Sequence, residues 1–231
     1  MKDKLLEYFK LLISSIGAGL LIGFGGFVYL NVKGTSPIFA SFLFSLGLFC
    51  IIVFKLHLFT GKVGYILDNK PKYLLDLLVI FIGNVIGAGA MGFLGRLTRM
   101  NVCEVAEAVT TTKLNDSLLS VFLLGMGCGV MIFIAVEVQR YDIHPISKLF
   151  GVVIPIIVFI LCGFEHCVAD AYYFSAANMW SLKAVGYILM IALGNGIGSM
   201  ICYILLRYCQ GKLFKKKEEV NKLPQEENKK D

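Results

Sequence analysis

Long apolar stretches separated by short polar turns make up most of the chain. The apolar stretches lie at residues 11–32, 37–67, 73–94, 116–136, 146–176 and 182–208. A helix of about 20 apolar residues is long enough to cross the hydrocarbon core of a bilayer. The pattern therefore predicts an all-α integral membrane protein whose six spans form one domain at residues 1–210.

Spans two and five contain polar interruptions. In span two, Lys55 and His57 precede Leu-Phe-Thr-Gly at 58–61, and apolar residues resume at 63–67. In span five, a break at 162–167 separates a helix from a short half-helix at about 169–176. Irregular backbone at membrane depth must be buried in protein or line a cavity. Broken spans at corresponding positions of two halves are the best sequence indicator of a substrate site.

A pentapeptide of the form Gly-Asn-x-Ile-Gly occurs twice, at 83–87 and at 194–198. Each copy follows a broken span, which predicts two repeats at about residues 11–98 and 114–208. Because each repeat has three spans, the two repeats run in opposite directions through the membrane. The polar segment 96–113 between them is expected to be a surface loop with a short helix.

Composition and charge agree with a membrane protein. Of the 231 residues, 57% are hydrophobic and 16% charged, against about 25% charged in soluble domains. Most Lys and Arg residues lie at the N-terminus, in the turns after spans two and four, and in the tail, so both termini are predicted to be cytoplasmic in a cell membrane. The Lys- and Glu-rich tail at 211–231 is expected to be disordered. The chain lacks the aromatic–basic pattern of an RNA-binding protein, and no nucleic-acid partner is predicted.

The sequence does not indicate an enzyme or a cofactor. Its seven cysteines form no CxxC pair or mixed Cys/His cluster, so they are interpreted as small packing residues, with disulfides or metal as alternatives. A third hypothesis is an intramembrane enzyme that uses His166 with Cys162 or Cys167. No pattern of an activated nucleophile supports it.

The break in span five carries an ionisable pair, Glu165 and His166. Such residues in a span usually face a bundle interior or a water-filled path. His166 is interpreted either as a structural histidine that bonds across helices or as a proton-exchanging or anion-binding pore residue. Glu165 is either a structural anchor or a hydrogen-bond acceptor in the site. Thr60, in the other break, offers a hydroxyl to His166 or to a substrate.

Lys113 stands at the start of span four. It is either a solvated loop charge or a vestibule cation that concentrates anions. Apolar residues on the broken spans are either ordinary core residues or a hydrophobic gate that blocks hydrated ions. These residues are Phe44, Leu48, Leu58 and Phe159.

The chain resembles the formate/nitrite transporter family over about residues 10–208. The resemblance depends on Leu-Phe-Thr at 58–60, Gly-Phe-Glu-His at 163–166 and the two Gly-Asn-x-Ile-Gly segments. It implies an aquaporin-like six-helix protomer with its own pore, assembled in the lipid membrane as a homopentamer. It also implies conduction of small monovalent anions such as formate, nitrite, hydrosulfide or lactate, with or without a proton.

The resemblance assigns roles to particular residues. The family's central threonine and histidine match Thr60 and His166, with Glu165 beside the histidine, and its vestibule lysine matches Lys113. Its apolar constrictions match Phe44 and Leu48 toward one side, and Leu58 and Phe159 near the centre. This chain departs from the family at four positions. The family commonly has asparagine at the position of Gly129 and tryptophan at that of Glu137. It often has an acidic residue at the position of His57 and asparagine at that of Asp170.

Two kinds of channel remain as functional hypotheses. The first is a channel or proton-coupled transporter for anions of weak acids, in which the anion takes up a proton near His166 and crosses the apolar gate as a neutral acid. The alternative is an aquaporin-like channel for neutral small solutes, although the chain contains no Asn-Pro-Ala motif.

Overall fold

The chain folds almost entirely into α-helices. The computed structural model describes residues 2–211, with side chains from residue 4 onward. The α-helices are α1 (Lys2–Val32), α2 (Pro37–Val53), α3 (Phe59–Lys62), α4 (Tyr73–Arg96), α5 (Val102–Leu114), α6 (Leu118–Glu137), α7 (Pro145–Leu161), α8 (Cys167–Ala176) and α9 (Leu182–Cys209). Two 3₁₀ turns, Val63–Asp68 and Val138–Arg140, follow α3 and α6. Apart from Gly211, the predicted tail at 211–231 lies outside the described residues.

Four of the helical segments are long and apolar enough to cross a membrane. They are Lys4–Val32, Tyr73–Arg96, Leu118–Arg140 and Leu182–Cys209. The apolar helices α2 and α7 have 17 residues each, which is at the lower limit for a full crossing. Helix α3 with its 3₁₀ turn continues α2, and α8 continues α7. The structure therefore has the predicted broken spans two and five.

Helix α1 is longer than the first predicted span. The sequence pattern separates a lead-in at 1–10 from a span at 11–32, whereas α1 runs without interruption from Lys2. The lead-in contains no proline or glycine, so nothing in its backbone chemistry ends the helix there.

Both broken helices end in the same type of turn. After α7, Gly163 has a φ of +67°, the Phe164 N–H donates to the Phe159 carbonyl and the Gly163 N–H to the Ile160 carbonyl. This pair of bonds is a Schellman motif, and glycine adopts its left-handed position without strain. After α2, Lys55 takes the equivalent position with a φ of +55°. The two breaks therefore begin with the same backbone geometry.

Helices α1 and α4 pack closely in the first half, and α6 and α9 do so in the second. A Cβ atom at Gly87 would overlap the Ile16 carbonyl oxygen of α1. In the same way, a Cβ atom at Gly198 would overlap the Met126 carbonyl oxygen of α6. The glycines that end the two pentapeptides therefore make the same backbone contact in each half.

The asparagine of the first pentapeptide closes the break in span two. The Phe59 N–H donates to Asn84 Oδ1 over 2.7 Å. Asn84 Nδ2 donates to the carbonyl oxygens of Ser15 and His57, at 2.8 and 2.9 Å. Asn84 thus satisfies one donor and one acceptor of the irregular backbone and joins them to α1.

The asparagine of the second pentapeptide does the same for span five. The Cys167 N–H donates to Asn195 Oδ1 over 3.1 Å. Asn195 Nδ2 donates to the carbonyl oxygens of Gly125 and Glu165, both at 2.8 Å. Both asparagines are fully buried. Because the same bonds recur with equivalent partners, the geometry supports the inverted 3+3 repeat.

The short helices after the two breaks differ in length. Helix α3 has four residues and passes into a 3₁₀ turn. Helix α8 has ten residues, all of them buried. The two halves are therefore similar at the breaks and unlike directly after them.

We expect Gly198→Ala to lower the thermal stability of the detergent-solubilised protein, because the added methyl group forces α9 away from α6. Overpacking of this kind costs about 1–3 kcal/mol or more. The matched control is Gly186→Ala, since a Cβ atom at this exposed position of α9 meets nothing within 4 Å. Size-exclusion chromatography after heating measures the effect, and equal midpoints for the two variants would contradict the packing argument.

We expect Asn195→Ala to be more damaging than Asn115→Ala. The first change leaves the Cys167 N–H without a partner and removes one hydrogen bond from each of two carbonyls, and each unpaired buried group costs about 1–3 kcal/mol. Asn115 lies exposed after α5 and serves as the control. Thermal midpoints in detergent report the difference. A stable Asn195→Ala protein would show that the break does not need its asparagine.

Candidate pore site

The two breaks bring Thr60 and His166 together. Thr60 is the second residue of α3, and His166 is the residue that caps α8. Thr60 Oγ1 lies 2.9 Å from His166 Nε2. Both residues are buried, with exposed fractions of 1% and 2%. The structure therefore joins the predicted threonine and histidine by a direct hydrogen bond.

The cap of α8 determines which imidazole nitrogen carries a proton. The Ala169 N–H donates to His166 Nδ1 over 3.1 Å, so Nδ1 acts as an acceptor and is unprotonated. The ring proton of the neutral imidazole then resides on Nε2, which donates to Thr60 Oγ1. Because Thr60 accepts this bond, its own hydroxyl proton is available to a further acceptor.

A cavity of about 320 Å³ lies on one side of this pair. Residues from the ends of α1, α5 and α7 and from the start of α8 line it, and they include Tyr29, Lys33, Lys113, Phe159, Phe164, Glu165, His166, Asp170 and Tyr173. We call it the Lys113 cavity. Burial lowers the pKa of Lys33, and the positive charge of Lys113 lowers this pKa further. The two ammonium groups therefore influence each other across the cavity.

Lys113 is held between two carboxylates. Its ammonium group donates a hydrogen bond to Glu165, and its Nζ atom lies 2.9 Å from Asp170 Oδ1. The exposed fraction of the side chain is 15% for Lys113, 6% for Glu165 and 1% for Asp170. The interpretation of Lys113 as a solvated loop charge is thus wrong, and the lysine is part of a buried ion cluster.

A second cavity, of about 550 Å³, lies between α2, α3 and the C-terminal end of α6. We call it the Arg140 cavity. Three basic residues line it: Lys55 after α2, Lys62 at the end of α3 and Arg140 after α6. Leu58 and Gly61 also line it, and they flank Thr60 in sequence. The Arg140 cavity therefore reaches the Thr60 side of the pair, and the Lys113 cavity reaches the His166 side.

The structure groups the four apolar gate residues differently from the sequence-based expectation. Leu48 and Leu58 line the Arg140 cavity, and Phe159 lines the Lys113 cavity. The ring of Phe44 packs edge-on against Phe159, with centroids 5.9 Å apart, and the Phe159 ring lies 6.0 Å from that of His166. Phe44 and Phe159 therefore pair on one side, and Leu48 and Leu58 on the other.

Two departures from the family pattern have a local reason. Gly129 faces the carbonyl oxygen of Asn195 so closely that a Cβ atom would overlap it, and the asparagine implied by the resemblance has no room there. His57 Nδ1 lies 2.8 Å from Ser14 Oγ. This bond joins the break in span two to the middle of α1.

Glu137 forms a polar network at the end of α6. It is 4% exposed and accepts a hydrogen bond from the Tyr65 hydroxyl over 2.7 Å. Arg207 and Arg140 lie 3.1 and 3.5 Å from its carboxylate oxygens. The network connects the 3₁₀ turn after α3 with α6 and α9. Its members Tyr65, Glu137 and Arg207 are about 70 residues apart in the sequence.

Several residues of the site were not singled out from the sequence as site residues. Lys62 and Arg140 belong to the basic turns after spans two and four, which indicate orientation only, and Asp170 stands out in the sequence only as a departure from the family pattern. Asn84 and Asn195 were visible in the repeated pentapeptide, which was the available signal for their role.

Comparisons with known proteins agree with this architecture. The formate channel FocA of Haemophilus influenzae is 23% identical, over 82% of this chain and 82% of its own length. A probable formate transporter of Methanothermobacter thermautotrophicus is 26% identical, over 83% of this chain and 85% of its own length. A solved structure of a pentameric formate channel with formate bound is similar with a TM-score of 0.77 and 22% identity, covering 90% of this chain and 98% of that one.

The structural likeness confirms the predicted fold class, an aquaporin-like six-helix protomer with an inverted 3+3 repeat and broken spans two and five. The family described as formate/nitrite transporter matches residues 1–209. The match includes both breaks, both asparagines and the Lys113 cluster. The chain belongs to the formate/nitrite transporter family, and it is a multi-pass membrane protein.

Proposed function

We propose that this protein is a channel for small monovalent anions of weak acids, with formate, nitrite and hydrosulfide as candidate substrates. The observation that carries the proposal is the Thr60–His166 pair, which lies between two cavities lined by basic residues. Formate is the first substrate to test, because two relatives in the comparisons are named for it.

In the Thr60–His166 pair, the threonine hydroxyl is the group that binds the anion. His166 Nε2–H donates to Thr60 Oγ1, and a hydrogen bond received in this way makes the Thr60 hydroxyl a stronger donor. An anion at the centre accepts that hydroxyl proton in a hydrogen bond. His166 therefore assists substrate binding in its neutral form.

The apolar residues on either side of the Thr60–His166 pair determine which form of the substrate can pass. Phe44 and Phe159 on one side and Leu48 and Leu58 on the other are each at most 4% exposed. A hydrated ion loses its water shell in such a constriction, and this loss favours the protonated form of the anion. The anion takes up a proton from the bulk solution on the side of entry, the neutral acid crosses the constriction, and the proton is released with the anion into the solution on the other side.

We expect Thr60→Val to slow radiolabelled formate flux into proteoliposomes by about 10- to 100-fold, because a hydrogen bond to a charged group is worth about 1.5–3 kcal/mol. Valine keeps the shape of threonine and lacks the hydroxyl group. Thr111→Val, at an exposed position of α5, is the matched control.

The same vesicles distinguish the competing functions. Equal formate flux in both variants would exclude a role for the Thr60 hydroxyl. Passage of water or glycerol without formate, nitrite or hydrosulfide would instead support the aquaporin-like alternative for neutral solutes.

We also propose that the protein assembles as a homopentamer in a cell membrane, with both termini and the Arg140 cavity on the cytoplasmic side. The similar solved structure is described as pentameric, and many large apolar side chains of this chain are exposed on the single protomer. The concentration of Lys and Arg at the termini and in the loops after spans two and four supports the orientation.

We expect native mass spectrometry of the detergent-solubilised protein to give about five times the chain mass of 25.5 kDa. The mass measured after reconstitution in lipid nanodiscs controls for dissociation by detergent. A monomeric or tetrameric mass under both conditions would exclude the pentamer.

A further inference from the structure

Asp170 is a buried carboxylate in the wall of the Lys113 cavity. It lies in the first turn of α8, its side chain is 1% exposed, and it lines the cavity together with Glu165 and His166. Resemblance to the family implies an uncharged asparagine at this position. The carboxylate is therefore a feature of this chain that the family pattern does not account for.

The lysine does not fully satisfy Asp170. Lys113 Nζ lies 2.9 Å from Asp170 Oδ1, which is an ion-pair contact. Among the described residues, Asp170 Oδ2 has no hydrogen-bond partner. The ammonium group also donates to Glu165. A buried carboxylate oxygen without a donor is costly in its ionised form.

The cluster contains two carboxylates for one ammonium group. With both carboxyl groups ionised, its net charge is −1, and one bound proton makes it neutral. A second bound proton makes it +1. Because two buried carboxyl groups beside the same lysine interact strongly, they take up protons as a pair and not as independent sites.

We propose that Glu165 and Asp170 together form a proton-binding site beside Lys113, and that the proton held there sets the charge that an anion meets in the Lys113 cavity. This inference rests on the proposed function as an anion channel. The unprotonated cluster repels an anion at the cavity, and the protonated cluster admits it. The lysine alone therefore does not concentrate anions here, since Asp170 offsets its charge.

The other titratable and charged groups around Asp170 leave this argument intact. They are Tyr29 on α1, Lys33 directly after α1, Lys113 on α5, Cys128 on α6, Glu165 and His166 at the break, and Cys167 and Tyr173 on α8. Lys33 is only partly buried and adds a positive charge that is the same before and after the cluster takes up its proton. His166 caps α8 through Nδ1, and a proton on that nitrogen would remove the cap. The exchangeable proton is therefore assigned to the carboxyl pair.

The test uses Asp170→Asn, which keeps the shape of the side chain and fixes the cluster at zero net charge when Glu165 is ionised. Exchange of radiolabelled formate is measured in proteoliposomes of the full chain, with equal formate and equal pH on both sides, between about pH 5 and pH 8. Bulk protonation of formate affects all variants equally. It cancels in the ratio of the rate of the variant to that of the natural protein.

We expect this ratio to rise on the order of tenfold from the acid to the alkaline end, because only the natural cluster becomes negative there. The control is Glu107→Gln on the exposed face of α5, which removes one negative charge away from the cavity and leaves its ratio flat. A flat ratio for Asp170→Asn would overturn the inference. Absence of formate exchange by the natural protein at every pH would instead overturn the proposed function.

A second variant and a second measurement cover the case in which Asp170→Asn fails to fold. Glu165→Gln also leaves one carboxylate for one ammonium group, and its ratio is expected to rise in the same way. Infrared difference spectra between acid and alkaline pH are expected to contain the band of a protonated carboxyl group in the natural protein. The persistence of this band in both variants would overturn the assignment of the proton to the pair.

Discussion

The structure depends on how the backbone is satisfied where two membrane spans lose their helical hydrogen bonds. Lipid offers no donors or acceptors, so each irregular segment must find partners within the protein. Asn84 and Asn195 supply these partners with one amide each, accepting from the first turn of the following helix and donating to the break. Each asparagine also bonds a carbonyl of a neighbouring helix, which holds the break against that helix.

Close helix packing is a condition for these bonds. An asparagine side chain is short, and it reaches a carbonyl of the adjacent helix only where the two backbones nearly touch. Gly87 and Gly198 permit that approach to α1 and α6. The breaks then point Thr60 and His166 at each other. The Thr60–His166 pair therefore depends on close packing at two glycines, each of which lies three residues after its asparagine.

Much of this arrangement was predictable, because the six spans, the two breaks and the repeat follow from local patterns of apolar and polar residues. The contacts that complete the site were less accessible. Asn84 bonds to residues 25 to 69 positions away, and Thr60 and His166 are 106 positions apart. The pairing of Phe44 with Phe159 depends on how α2 and α7 lie against each other, and the grouping of Leu48 with Leu58 depends on how span two folds at its break. The role of Asp170 was also not predictable, because it depends on the contact with Lys113, which is 57 positions away in the sequence.

The unequal length of the two short helices has an electrical consequence. Aligned peptide dipoles sum along a helix and place partial positive charge at its N-terminus. The ten residues of α8 place partial positive charge next to His166 at the N-terminus of the helix, whereas the four residues of α3 contribute little. The contribution of the helix dipoles is therefore one-sided, even though the two breaks are built alike. In the proposed channel, the partial positive charge of α8 therefore acts on the same region as the side chains of Lys113, Glu165 and Asp170, and the break in span two has no comparable helix field.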